Sequence, residues 1–113
     1  MSEEILDWQE ALPRVLNKRP LYIKLLNKFI EGERGTPARV DEALKNGQKE
    51  EAKQLVHTTK GSAANLGAKA LAAAALNLEM AIKTDVDVDV CLKRFEDAVT
   101  DALLAMTSFI AEG

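Results

Sequence analysis

The stretch from Gln48 to Gly67, QKEEAKQLVHTTKGSAANLG, decides the fold class. Its apolar and small residues recur every three or four positions, which is the spacing of one face of an α-helix. Gly67 follows the last of them, as glycine commonly does where a helix ends. The stretch therefore predicts an amphipathic helix from about Gln48 to Asn65. The stripe consists of Ala52, Leu55, Val56, Thr59, Ala63 and Leu66.

Three neighbouring segments show the same periodicity. The helix-start pair Thr36-Pro37 opens one that ends at Asn46-Gly47, and two more run from Ala68 to about Lys83 and from Val88 to about Ala111. Short turns between amphipathic helices favour antiparallel packing. The fold class predicted is therefore all-α, an antiparallel up-down four-helix bundle. Its further stripe residues are Leu71, Ala74, Ala75, Leu78, Ile82, Val88, Cys91, Leu92, Phe95, Ala98, Val99, Ala102, Met106, Phe109 and Ile110.

The residues before Thr36 predict one or two short amino-terminal helices that cover one end of the bundle. Ile5 to Leu16 is amphipathic but is interrupted by Pro13, and Pro20 suits the first turn of a helix that runs to about Glu31. Trp8 is expected to anchor the first segment to the bundle. The apolar set of the second is Leu21, Leu25, Leu26, Phe29 and Ile30.

Length and composition narrow the class of protein. A chain of 113 residues with a net charge of −3 is expected to form one domain, residues 1–113, and lacks the basic character that nucleic-acid binding requires. The longest apolar run, Ala70 to Leu76, is far shorter than the roughly 20 residues of a membrane-spanning helix. The acidic start of the chain does not have the layout of a secretory signal, and Cys91 is the only cysteine. We expect a cytoplasmic protein without membrane insertion or disulfides.

His57 is the only histidine, and it lies about 150° from the centre of the apolar stripe of its helix, so we expect it to face solvent. Gln54, Gly61 and Ala64 share that outer face. A glycine inside a helix costs about 1 kcal/mol relative to alanine. We infer that Gly61 and Ala64 leave an open shelf on which another protein can approach the imidazole. A lone histidine with no cysteine or second histidine beside it is a poor metal site, so neither a metal nor a cofactor is expected.

The run His57-Thr58-Thr59-Lys60-Gly61 has the form His-x-x-Lys-Gly, and Gly67 ends the helix. With the pair Leu78-Glu79 in the following helix, it resembles the signature of histidine-containing phosphotransfer (HPt) domains. Two positions depart from the family pattern. Thr59 stands where leucine is usual, and Gln48 replaces a frequent aspartate and predicts a weaker helix cap.

The resemblance implies a carrier of phosphoryl groups between receiver domains. His57 would accept the phosphoryl group from an aspartyl phosphate, which originates from a hybrid sensor histidine kinase, and pass it to another response-regulator receiver. Lys60 would neutralise the phosphate, Gly61 would give the receiver room, and Glu79 would orient the imidazole. The chemistry suits histidine, since an imidazole with a pKa of about 6.5 is largely neutral and nucleophilic near neutrality.

Other side chains take their expected roles from their place in the pattern. Leu76 lies off the main stripe, and with Gln54 and Ala64 we expect it to form a shallow receiver-docking surface. Met80 and Met106 are expected to fill gaps in the core. The glycines around Glu33-Arg34 lack the lysine of a nucleotide-binding loop, so we expect no autokinase activity.

Two other functions fit a helical bundle with one exposed histidine. The chain could be the dimerisation and phosphoacceptor domain of a histidine kinase, although that class places an acidic residue directly after its histidine, where this chain has Thr58. It could also be a non-catalytic adaptor bundle in which His57 is incidental. The phosphotransfer interpretation predicts a monomer, whereas the kinase domain would dimerise.

Overall fold

The computed structural model describes residues 5–112, and every regular element in that range is helical. The predicted domain, residues 1–113, extends beyond this range by positions 1–4 and 113. The described elements are α1 (Trp8–Ala11), a 3₁₀ turn (Leu12–Val15), α2 (Arg19–Glu33), α3 (Thr36–Lys45), α4 (Lys49–Leu66), α5 (Lys69–Thr84) and α6 (Val88–Glu112).

Helices α3 to α6 pack in chain order, with α3 on α4, α4 on α5 and α5 on α6. Only two or three residues separate consecutive helices, so each must reverse direction and lie antiparallel to the one before. The predicted all-α bundle is confirmed. Its core is formed by the predicted stripes, and Val56, Leu78, Phe95 and Met106 are completely buried.

Helix α2 lies beside the carboxyl-terminal half of α4 and also contacts α6. The Tyr22 hydroxyl donates to the carbonyl of Leu66 at 2.6 Å, and its ring meets Phe109 edge-on at 5.3 Å. Tyr22 is buried whereas Leu21 is 41% exposed, so the expectation that Leu21 is part of the apolar face is wrong. The cause is the phase of the helix, since Leu21 lies about 100° round from Tyr22.

A terminal segment, residues 7–15, is fastened across the turn between α4 and α5. The backbone N–H of Asp7 donates to the carbonyl of Gly67 at 2.7 Å. The Lys69 ammonium lies 3.0 Å from Asp7 Oδ2 and 2.7 Å from a Glu10 carboxylate oxygen. Trp8 packs against Phe109 with ring centroids 5.5 Å apart, as expected of an anchor.

The turn after α4 depends on glycine. Gly67 has φ of +85°, the left-handed conformation expected at a helix carboxyl terminus. A Cβ atom at this position would lie 2.4 Å from the carbonyl oxygen of Asp7. Both the backbone angle and the close approach of the terminal segment therefore exclude a side chain.

No helix within residues 5–112 combines the length and the apolar character needed to cross a bilayer.

Candidate functional site

His57 projects from the middle of α4 on the side that no other helix covers. Its side chain is 58% exposed, whereas the neighbouring Val56 and Thr59 are buried. This orientation follows from the helical repeat, because the residues that face α2, α3 and α5 are those of the apolar stripe. The imidazole can be reached from solvent without moving the bundle.

Glu79 on α5 holds both His57 and Lys60 of α4. One carboxylate oxygen lies 3.1 Å from His57 Nδ1, and the other accepts from Lys60 Nζ at 2.7 Å. The side chains of Lys60 and Glu79 are only 27% and 22% exposed. A single carboxylate thus bridges the exposed ring and a largely buried ammonium group.

The charge state of Glu79 follows from these contacts. The Lys60 ammonium, with a smaller contribution from His57, holds the pKa of Glu79 below its ordinary value of 4.5 in spite of its burial. Glu79 is therefore ionised near neutrality and can only accept a hydrogen bond. In the neutral imidazole the hydrogen then lies on Nδ1, and the lone pair of Nε2 points away from Glu79.

The shelf beside the imidazole is open. Gly61 is exposed, and a Cβ atom built on it would have nothing within 4 Å. Ala64, one turn further, is also exposed. Gln54, one turn before His57, is exposed and donates from its amide to the Thr58 hydroxyl at 3.4 Å.

An apolar surface on α5 adjoins Glu79. Leu76 is 47% exposed and Met80, one turn further along the helix, is 51% exposed. The expectation that Met80 fills the core is wrong, while Met106 is buried as expected. The signal was available in the sequence, since Met80 lies about 180° from the stripe of Leu71 and Leu78.

The two departures from the family pattern have local explanations. Thr59 is buried, and its hydroxyl donates to Glu33 at 2.5 Å and is also within 3.2 Å of the carbonyl of Leu55, so the polar atom in place of a leucine is satisfied. Gln48 makes no side-chain cap bond at the start of α4, which agrees with the weak cap expected.

Within residues 5–112, no three histidine, cysteine, aspartate or glutamate side chains are grouped so that they could hold a metal ion.

A four-helix bundle with an outward histidine, held by a carboxylate and flanked by an open shelf, defines a class of proteins that present one nucleophilic side chain to a partner. A family model of the Hpt domain matches residues 24–109, and the chain belongs to this family of histidine-containing phosphotransfer domains. Its role is accordingly phosphotransfer in two-component signalling, as a phosphoryl carrier module that interacts with receiver domains and kinases. No curated protein and no solved structure matches the chain significantly.

Proposed function

We propose that this protein is an intermediate of a multistep phosphorelay in which His57 carries the phosphoryl group. The group would come from the aspartyl phosphate of one receiver domain, supplied by a hybrid sensor histidine kinase, and pass to a second receiver. The observation that carries the proposal is the hydrogen bond between Glu79 and His57 Nδ1, which leaves Nε2 exposed and directed outward. We expect this relay to operate in the cytoplasm.

The chemical step uses groups already in place. Nε2 attacks phosphorus, the N–P bond forms as the P–O bond of the aspartyl phosphate breaks, and the aspartate keeps the electron pair. The imidazole retains its Nδ1 hydrogen and becomes positively charged, and the Glu79 carboxylate at 3.1 Å stabilises that charge. Transfer to the next receiver reverses these events.

The surroundings of His57 support the remaining roles. Lys60 supplies a positive charge within one helical turn of the phosphoryl group. Gly61 lets a receiver surface approach Nε2 closely, because no side chain stands in front of the ring. Gln54 and Ala64 on α4 and Leu76 on α5 are exposed around the imidazole and form the proposed docking surface.

The direct test is a phosphotransfer profile. The chain is incubated with each phosphorylated receiver of its source organism, and the label on the protein is followed. We expect wild-type protein to take label from its cognate receiver and His57→Gln to take none. The melting temperature should not change, since the 58% exposed side chain contributes little to core packing.

Two outcomes contradict the proposal. Label on the His57→Gln variant would place the acceptor elsewhere. A wild-type protein that takes no label from any receiver would leave an adaptor function.

A further inference from the structure

Lys60 is already engaged before any phosphoryl group arrives. Its ammonium lies 2.7 Å from one oxygen of Glu79, while the other oxygen lies 3.1 Å from His57 Nδ1. The ion pair is more buried than the ring beside it, with side chains 27% and 22% exposed against 58% for His57. A partly buried, charge-assisted bond of this length is stronger than one between neutral groups.

We propose that Glu79 competes with the phosphoryl group for Lys60 and thereby limits how far Lys60 stabilises phospho-His57. This inference rests on the proposed function, since it requires His57 to carry the phosphoryl group. Glu79 is then a positioning residue that acts through both of its partners, and it limits the stabilisation that Lys60 can give.

The competition follows from charge. The phosphoryl group is an anion of up to about −2 with three acceptor oxygens, and Lys60 is the cation that faces Glu79. The ammonium has three N–H donors and gives one to the carboxylate, so it offers at most two to the phosphoryl oxygens unless it loosens that contact. The free energy gained at the phosphate is offset by the loss at Glu79, so the net stabilisation of the phosphorylated state is small.

Glu79 also sets the charge of the phosphorylated ring. By holding the hydrogen on Nδ1 it keeps the phosphorylated ring positively charged. When the N–P bond breaks, the electron pair returns to Nε2, the ring becomes neutral, and the Nδ1 hydrogen stays where it was. A cationic ring is a better leaving group than a neutral one would be, because departure removes its charge.

A double-mutant cycle tests the competition. Wild type, Lys60→Met, Glu79→Gln and the double variant are labelled with phosphoramidate, a small chemical phosphodonor, and the loss of label is followed without any receiver. Because His57 is the only histidine, phosphohistidine can form at one site only. In Glu79→Gln the amide carbonyl can still accept from Nδ1, but the side chain lacks the charge that binds Lys60.

We expect the effect of Lys60→Met on the phosphohistidine lifetime to depend on whether residue 79 is glutamate or glutamine. Lys60→Met should shorten the phosphohistidine lifetime less than about twofold in the native background and roughly fivefold in the Glu79→Gln background. Any effect of Glu79→Gln on the ring itself is common to both members of each pair and cancels in the ratio.

Equal effects of Lys60→Met in both backgrounds would overturn the competition. These results are separate from a failure of the proposed function, which would show as chemical labelling of His57 without exchange with any receiver. Wild-type protein that phosphoramidate does not label would contradict both.

Discussion

At the scale of single residues, Gly61 lowers the stability of α4 and leaves space beside His57 for a partner to approach. It lies inside α4, where glycine is about 1 kcal/mol less favourable than alanine, and its missing side chain would have met no other atom. We predict that Gly61→Ala raises the free energy of unfolding by up to about 1 kcal/mol, measured by denaturant titration. Gly61→Gln should instead slow phosphoryl transfer from a receiver.

Labelling with a small phosphodonor is the control for Gly61→Gln. Phosphoramidate is small, so it should label His57 in this variant at the wild-type rate while the receiver does not. Receiver transfer at the wild-type rate in a normally folded Gly61→Gln protein would refute the role of the open shelf.

The sequence predicts which single residues are exposed better than it predicts which side chains contact each other. The helical repeat is enough to place His57 outside and to find the anomalous Gly61. The bond between Lys60 and Glu79 depends on the register of α5 against α4, which no local pattern encodes. The expectation for Met80 is wrong although its angle on the helix marks it as exposed.

At the scale of elements, the turn between α4 and α5 sets where His57 and Lys60 on α4 lie relative to Glu79 on α5. We predict that Gly67→Ala lowers the free energy of unfolding by at least about 1 kcal/mol more than Gly47→Ala does. Both glycines have positive φ, +85° and +72°, so both variants strain the backbone. Only at Gly67 would the new Cβ also meet the backbone of Asp7, at 2.4 Å from its oxygen.

Denaturant titration of the two alanine variants measures this difference, and the fluorescence of Trp8, the only tryptophan, reports whether the terminal segment has moved. Equal losses of stability would show that the segment yields to the new methyl group at no cost.

The terminal segment should be fastened in a pH-dependent manner. Lys69 holds the pKa of Asp7 below its ordinary 3.8, and Lys69 with Arg14 holds the pKa of Glu10 below 4.5. A carboxyl group whose pKa is depressed by folding stabilises the folded state above its ordinary pKa and loses that contribution as the pH falls through the depressed value. The side chains of these ion pairs are 24% to 43% exposed, so solvent screens the charges and the effect is expected to be modest.

We therefore predict that Lys69→Met lowers the melting temperature between about pH 6 and pH 8 and that the difference from wild type shrinks below about pH 4. The measurement is a melting series across this pH range, followed by Trp8 fluorescence. Lys93→Met, which removes an exposed pair with Asp97 on α6, is the matched control and should have little effect. A difference that persists unchanged at about pH 2 to 3 would assign the effect of Lys69 to packing instead of charge.

Residues that typically end helices explain why the boundaries of the elements were predictable to within a few positions. Gly47 and Gly67 end helices where expected, and the turn before α6, residues 85–87, has Asp85 and Asp87 at positive φ. The position of α2 beside α4 was not predictable in the same way. It depends on tertiary contacts, such as that of Tyr22 with Leu66, between residues 44 positions apart.

At the scale of the whole molecule, the packing of α4 leaves one of its faces open. Helices α2, α3 and α5 cover α4 on the sides of its apolar stripe. The strip that stays open carries His57 and Gly61, and in the proposed phosphorelay the donor receiver and the acceptor receiver would use it in turn. The residues that stabilise the fold therefore lie inside the bundle, and the residues proposed to exchange the phosphoryl group lie on its surface.

The closed packing of the bundle also leads to a prediction about its oligomeric state. The apolar stripes of α3 to α6 are buried within one chain, and the side chains of Val40, Val56, Leu78 and Phe95 have no exposed surface. A histidine kinase dimerisation domain instead completes its bundle with helices from a second chain. We predict that light scattering coupled to size exclusion gives the monomer mass of 12.4 kDa at all concentrations tested, both before and after phosphoramidate labelling. A mass that doubles with concentration, together with a melting temperature that rises over the same range, would favour the dimeric alternative, because association of folded chains makes their stability depend on concentration.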